Sequence, residues 1–233
     1  FKTHKPFHQH VRSLITTNTN AGGFSNWNFY RKVSEMRLLQ VLDLSSHRVS
    51  SLSSAAFQPL IHLKYLAVYT KEFHFHPQLH LLPLETLIVE HPKYSKSTLL
   101  PAIFWKMEKL RHVHFIGAEF FLEQKMLAES SKLENLRILR GVGFRIIFHH
   151  DIPFLEDALL RRCPNLQQLD ISFNIMSCSA NRDTLETYFL KLDSLTQLQS
   201  LRLCRYQLGL HLPSNLKKLV LSEIHVGSAM SLI

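Results

Sequence analysis

Leu39-Gln40-Val41-Leu42-Asp43-Leu44 is the stretch that decides the fold. Residues two apart in an extended chain face the same side, so Leu42 and Leu44 point one way and Asp43 the other. A single such segment is a half-buried strand and nothing more. The same spacing returns at Leu63/Leu66/Val68, Leu84/Leu87/Val89, Leu110/Val113/Phe115, Leu166/Leu169/Ile171, Leu198/Leu201/Leu203 and Leu216/Leu219/Leu221. Leu136/Leu139/Gly141 is a weaker copy, and Val11/Leu14 begins another. First positions are separated by 24, 21, 26, 26, 30, 32 and 18 residues, mostly in or near the range of about 20–29 expected of leucine-rich repeats.

Each copy therefore supplies one short strand, with its apolar residues inward and a variable residue outward. Strands stacked about 4.8 Å apart need less width than the segments that return between them, so the array must curve. The fold class is α/β: a leucine-rich-repeat solenoid, or horseshoe, with a parallel concave β-sheet and irregular short helices on the convex side. Seven clear copies of one spacing argue against a generic βαβ protein. Residues 1–35 read as a transition into the repeats that holds a first weak repeat. Residues 36–233 read as an array of about eight repeats, cut off at the C-terminus.

The returning segments carry helix signals. Asp183 and Glu186 form a capping box ahead of Leu185, Tyr188, Phe189 and Leu192, which share one helical face. Pro153 suits a first helical turn before Leu155, Ala158 and Leu159. Pro101 followed by Ala102–Met107 is a third candidate. The ninth position of such repeats often holds an Asn that bonds neighbouring backbone. Here only Asn174 fits, against His47, Lys71, Pro92, Ala118, Phe144, Tyr206 and Ile224. The other turns must satisfy their polar groups differently, and a ragged solenoid is expected.

Composition agrees. Of 233 residues 45% are apolar, roughly 18% are Leu, and only 7 are Gly, against a usual Gly share of about 7%. The net charge is +9 with 15 His besides, which suits acidic partners without choosing among protein, nucleic acid and anionic membrane. Direct nucleic-acid binding is not expected. Cys163, Cys178 and Cys204 are odd in number and widely spaced; they imply no disulfide framework and favour a reducing compartment. Cys163 reads as a small packed residue, and Cys204 as an outward thiol. No apolar run approaches a membrane span. The chain begins at Phe1 without a signal peptide, which reads as a fragment whose targeting segments lie elsewhere.

Catalytic motifs are missing from the sequence. It has no Gly-x-Ser-x-Gly, no His-Glu-x-x-His and no Gly-x-x-x-x-Gly-Lys-Ser/Thr phosphate loop. The Gly141-Val-Gly143 pair is more simply a turn. His74 with His76, and His112 with His114, would share strand faces, and His91 could join the second pair as a metal ligand. Polar residues on a solvated face are the simpler reading, and no metal, catalytic or cofactor site is assigned. The outward positions are more informative. Arg111, His112 and His114, then Arg137 and Arg140, then Arg202 and Arg205, then Lys217 and Lys218 make the centre and far end of the concave face basic. Earlier strands present the mixed set Asp43, Lys64, Tyr65 and Glu85. These nine basic positions are the candidate protein-binding surface, with Arg111, Arg137 and Arg140 expected to meet acidic side chains. The competing reading is that exposed positions are simply often Lys or Arg.

Val11-Arg-Ser-Leu14, Leu38-Leu-Gln-Val-Leu-Asp-Leu44, His62-Leu-Lys-Tyr-Leu66, Leu100-Pro-Ala-Ile-Phe-Trp-Lys-Met-Glu-Lys-Leu-Arg-His112 and Cys163-Pro-Asn-Leu-Gln-Gln-Leu-Asp-Ile171 carry a family likeness. They resemble the repeat region of plant intracellular immune receptors of the coiled-coil, nucleotide-binding, leucine-rich-repeat class, above all solanaceous late-blight resistance proteins. The Trp-Lys-Met run is the most specific; Cys-Pro-Asn-Leu also occurs in F-box repeat proteins. The resemblance implies a cytoplasmic receptor, or one held peripherally at a membrane. Its repeats would recognise a pathogen effector or a guarded host protein, restrain the receptor's nucleotide-binding module, and lead to hypersensitive cell death. ATP or ADP would belong to that absent module. An F-box-type substrate adaptor for ubiquitin ligation is the alternative, and a repeat-type enzyme inhibitor a third.

Overall fold

The computed structural model describes residues 10–17, 32–75, 81–92, 98–100, 102–117, 120–122, 131–146, 161–175, 189–205 and 209–223. Among the described residues nine strands follow one another across a single sheet: β1 (Ser13–Ile15), β2 (Val41–Ser53), β3 (Tyr65–His74), β4 (Thr86–Glu90), β6 (His112–Ile116), β8 (Ile138–Ile146), β9 (Gln168–Ile175), β11 (Ser200–Cys204) and β13 (Lys218–Ser222). Four shorter strands lie off that path: β5 (Thr98–Leu100), β7 (Phe120–Leu122), β10 (Phe189–Lys191) and β12 (Gly209–His211). Every pairing is parallel, and sequence neighbours are spatial neighbours. A parallel ladder in chain order is the topology of a solenoid and not of a doubly wound sheet. The expected leucine-rich-repeat fold is the one observed.

The register follows the repeat. Leu14, Leu42, Leu66, Leu87, Val113, Leu139, Leu169, Leu201 and Leu219 stand side by side. Those from Leu42 to Leu201 are buried. Burying each such side chain contributes about 1.5–3 kcal/mol, and a slip of one residue would turn the whole column to solvent. Leu39, Leu63, Leu84, Leu110, Leu136, Leu166 and Leu198 close the core beneath the turns, all at 0–1% exposure.

One repeat departs from the spacing. Gly141, the third position of the weak copy, is not the inward residue. The ladder shifts between Leu139 and Val142, so that Val142 pairs with Ile171 and is buried. Gly141 forms the bulge, at φ +73°. A second shift between Leu44 and Arg48 lets β2 turn a corner and continue beside β3, with Leu52 opposite Phe73.

Among the described residues the convex segments hold two short helices of one kind. Ala102–Lys106 is a 3₁₀ helix that buries Phe104 and Trp105, and Ser54–Phe57 is another, capped by the Ser53 hydroxyl. The helix expected from Asp183 to Leu192 is corrected at its end: Phe189–Lys191 is strand β10, paired with β12, with Leu190 and Leu192 buried. An inward, outward, inward alternation outcompetes the helical period there. The rest of that helix lies outside the described residues, as does the Pro153 candidate except for Arg161 and Arg162.

The turns that lack the usual Asn are held in two other ways. The carbonyl before each strand accepts two N–H groups from the next repeat. Gln40 O takes Lys64 N and Tyr65 N at 2.8 and 3.0 Å, and the pattern recurs at Lys64, Glu85, Arg111, Arg137, Gln167 and Gln199. A second Asn ladder also stands one residue before the repeat's first Leu. The side-chain amides of Asn135, Asn165 and Asn215 donate to the carbonyls of Glu108, Glu134 and Thr196 in the preceding repeat, at 2.9, 2.9 and 2.7 Å. Asn165→Leu is therefore expected to lower stability by about 1 kcal/mol. Gln167→Ala, two residues on, leaves the backbone bonds in place and should move the urea midpoint much less. Equal midpoints for the two variants would remove the ladder from the account.

Candidate functional site

The outward side chains of the main sheet form two columns. The first runs Val41, Tyr65, Thr86, His112, Ile138, Gln168, Ser200, Lys218, and the second Asp43, Ala67, Ile88, His114, then Arg202 and Val220 beyond Asp170. Arg140 follows His114 in the second column and precedes the bulge. Most of these residues are half-buried, as crowding on the inner side of a curved sheet requires.

The basic residues picked out from the sequence separate into three places. Arg111, Arg137 and Lys217 lie on the rim just ahead of the strands, where their carbonyls or N–H groups make the two-to-one backbone joints. His112, His114, Arg140, Arg202 and Lys218 lie on the sheet itself. Arg205 is one residue past β11, at φ 55°, with its Nε 3.0 Å from Glu223.

Their partners differ as well. Arg111 is 3.9 Å from Glu85, which also holds Lys64 at 3.1 Å. Arg137 spends its guanidinium on the carbonyls of Glu134 (2.8 Å) and Asn165 (3.5 Å), so it braces two turns. Arg202 stands 3.9 Å from Asp170, and Arg140 donates to the Gln168 side-chain oxygen. Asp170 is the residue that reading the sequence for basic positions missed. It sits between Leu169 and Ile171, in the same outward place within its repeat as Arg202, and that placement was the available signal.

The electrostatics centre on that residue. Burial raises the Asp170 carboxyl above the usual range, while Arg202, His114 and Arg140 oppose the shift. Burial and then the Arg140 cation push His114 down, against the pull of Asp170. His114 is therefore a neutral imidazole near pH 7. Near β2 and β3, burial and the charge of Asp43 raise the Tyr65 hydroxyl.

The histidines considered for a metal are dispersed in role. His91 is buried, with Nδ1 3.2 Å from the Lys71 carbonyl, whereas His112 is exposed and 3.4 Å from the Thr86 hydroxyl. His74 is 3.4 Å from Glu72, and His76 lies outside the described residues. Among the described residues no group of three or more His, Cys, Asp or Glu side chains could hold a metal.

Cys163 is fully buried, and its thiol is pushed up to about 12 by burial, with Arg162 opposing. Cys204 is partly exposed at the end of β11. A thiolate is the reactive form, so iodoacetamide at pH 8 should label Cys204 and reach Cys163 only after denaturation. Peptide mapping that finds native Cys163 labelled as fast as Cys204 would contradict this packing.

No protein-family model matches the chain. Curated proteins do. The chain is 32% identical over 174 residues to a late blight resistance protein of Solanum demissum, covering 68% of this chain and 12% of that protein. Two putative late blight resistance protein homologs of the same plant are also similar. One is 33% identical over 138 residues, covering 57% of this chain and 11% of its own length. The other is 28% identical over 202 residues, covering 82% and 24%. Among solved structures, a leucine-rich-repeat protein of Leptospira interrogans superposes with a TM-score of 0.41 at 14% identity, covering 83% of this chain and 64% of that one. A likeness that distant carries no argument here. The chain thus spans less than a quarter of the length of these curated relatives. Among the described residues no helix is long and apolar enough to cross a membrane.

Proposed function

This chain is a leucine-rich-repeat homologue of the late blight resistance proteins, and from that kinship we propose that it is the sensing part of an intracellular plant immune receptor. The observation that carries the reading is a sheet whose inward residues repeat and whose outward residues vary from strand to strand. Such a surface is invariant in scaffold and free in chemistry, which suits recognition more than catalysis. Its work is to recognise a pathogen effector or a guarded host protein and to restrain the receptor's nucleotide-binding module until then. Release of that restraint leads to the defence response and hypersensitive cell death.

The role is non-enzymatic and needs no cofactor of its own. This sequence contains no phosphate loop, so ATP or ADP would be held elsewhere in the longer receptor. The receptor acts in the cytoplasm, where the thiols of Cys163 and Cys204 stay reduced.

Sequencing the transcript that encodes the chain tests the proposal. A Gly-x-x-x-x-Gly-Lys-Ser/Thr loop in frame upstream of Phe1 is the expected result. An F-box helical segment in that place would overturn it in favour of a ubiquitin-ligase adaptor.

A further inference from the structure

The outward face of β4, β6 and β8 differs from the rest of the sheet in its charge balance. Toward the start of the array, Glu85 serves both Lys64 and Arg111. Past β11, Arg205 is matched by Glu223. In the centre one carboxylate, Asp170, faces two guanidiniums and an imidazole. It lies nearer Arg202, at 3.9 Å, while the contact of Arg140 is the neutral amide of Gln168. Positive charge is therefore left over at Arg140, beside a His114 that burial keeps neutral.

Aliphatic residues border this spot. Ile88 is opposite His114 on the neighbouring strand, and Ile138 is opposite His112. Both are half-buried and face outward. A guanidinium with surplus charge, with Ile138 two residues before it on β8 and Ile88 across β6 on β4, is the composition of an interface anchor more than of a solvated rim.

Resting on the receptor reading above, we propose that β4, β6 and β8 dock a protein segment that places a carboxylate on Arg140 and His114 and an adjacent aliphatic side chain between Ile88 and Ile138. Arg140 offers a planar fork that matches a carboxylate, and the His114 ring supplies a further donor. Asp170 stands one strand away and competes for the same guanidinium, so it sets how acidic the segment must be. The surplus at Arg140 is bordered by aliphatics, whereas a nucleic-acid backbone would call for a continuous basic stripe.

Selection of short random peptides displayed on phage against the full 233-residue chain tests the proposal. Recovered peptides should carry Asp or Glu next to Leu, Ile or Val. A synthetic copy should bind Arg140→Glu about thirtyfold or more weakly, since reversing a buried interfacial charge acts on the off-rate. Arg140→Ala should lose less, and Asp170→Asn should bind about threefold tighter, with the competing charge gone. Lys109→Glu, the same charge change on an exposed turn, should bind as the wild type does. Circular dichroism melts confirm that each variant is folded; if Arg140→Glu is not, the opposite effects of Arg140→Ala and Asp170→Asn decide.

Recovered peptides without acidic residues would overturn the proposal, as would equal loss with Lys109→Glu. So would binding only when a phosphoserine replaces the acid, or a stronger Arg140-dependent affinity for single-stranded RNA. Peptide binding is read on the chain alone and the receptor reading on the upstream coding sequence, so either can fail while the other stands.

Discussion

Gly141→Val should be the most damaging single substitution in the sheet, with an expected cost on the order of 3–5 kcal/mol. Gly141 is held at φ +73° by the bulge that brings Val142 into the core. A Cβ there would lie 1.9 Å from the Phe115 carbonyl oxygen and 2.8 Å from its carbon. Both are backbone atoms of β6, so no side chain can move aside to make room. Relief requires β8 to part from β6 or to lose its bulge, and losing the bulge would turn Val142 and Phe144 out of the core. Gly141→Ala carries the same Cβ and should cost nearly as much. Urea unfolding monitored by circular dichroism measures both; a loss under about 1 kcal/mol for alanine would mean that the bulge is not there.

Trp105→Ala should come next, at about 3–5 kcal/mol. Trp105 is 1% exposed and packs edge-on to Phe104, with ring centroids 5.4 Å apart. Its face also carries the Arg162 guanidinium, 5.0 Å from the ring centroid and itself only 6% exposed. Truncation thus opens a cavity and takes the ring from a buried cation at once. Trp105→Phe keeps a ring and should recover about half of the loss. A double-mutant cycle with Arg162→Met isolates the ring–cation part, expected at about 1–2 kcal/mol. A vanishing coupling would show that the ring acts by volume alone.

Much of this architecture was legible in the residues because the inward column admits little variation. Leu42, Leu66 and Leu87 must all enter one narrow core, so the spacing that puts them there repeats. The bulge was not legible. Gly141 occupies the third position by count, but a positive φ passes that place to Val142, and only the neighbouring backbone of Phe115 reveals it. The end of the expected helix before Leu192 misled because Phe189 and Leu192 fit a helical period while Leu190 and Leu192 also fit a strand's. Asn135, Asn165 and Asn215 went unread because the familiar ladder stands at the ninth position, and the same amide chemistry here works one residue before the first Leu.

The surface was legible only in part. Residue type marks Arg111, Arg137 and Arg140 alike, yet one faces Glu85, one braces turn carbonyls and one meets Gln168. Those differences are set by which residue lies across the strand or turn, and spacing along one chain does not encode that directly.

The most direct test of the central claim, that the outward face of this sheet is where an immune receptor meets its partner, is made in leaf tissue. The proposed receptor carrying Arg111→Glu, Arg140→Glu and Arg202→Glu would be expressed with and without a pathogen that triggers the wild type, beside a control with Lys109→Glu and Lys132→Glu at exposed positions off the sheet. The triple variant is expected to lose triggered cell death, or to die without a trigger, while the control behaves as the wild type does. A triple variant that accumulates normally, stays silent alone and responds fully to the pathogen would contradict it.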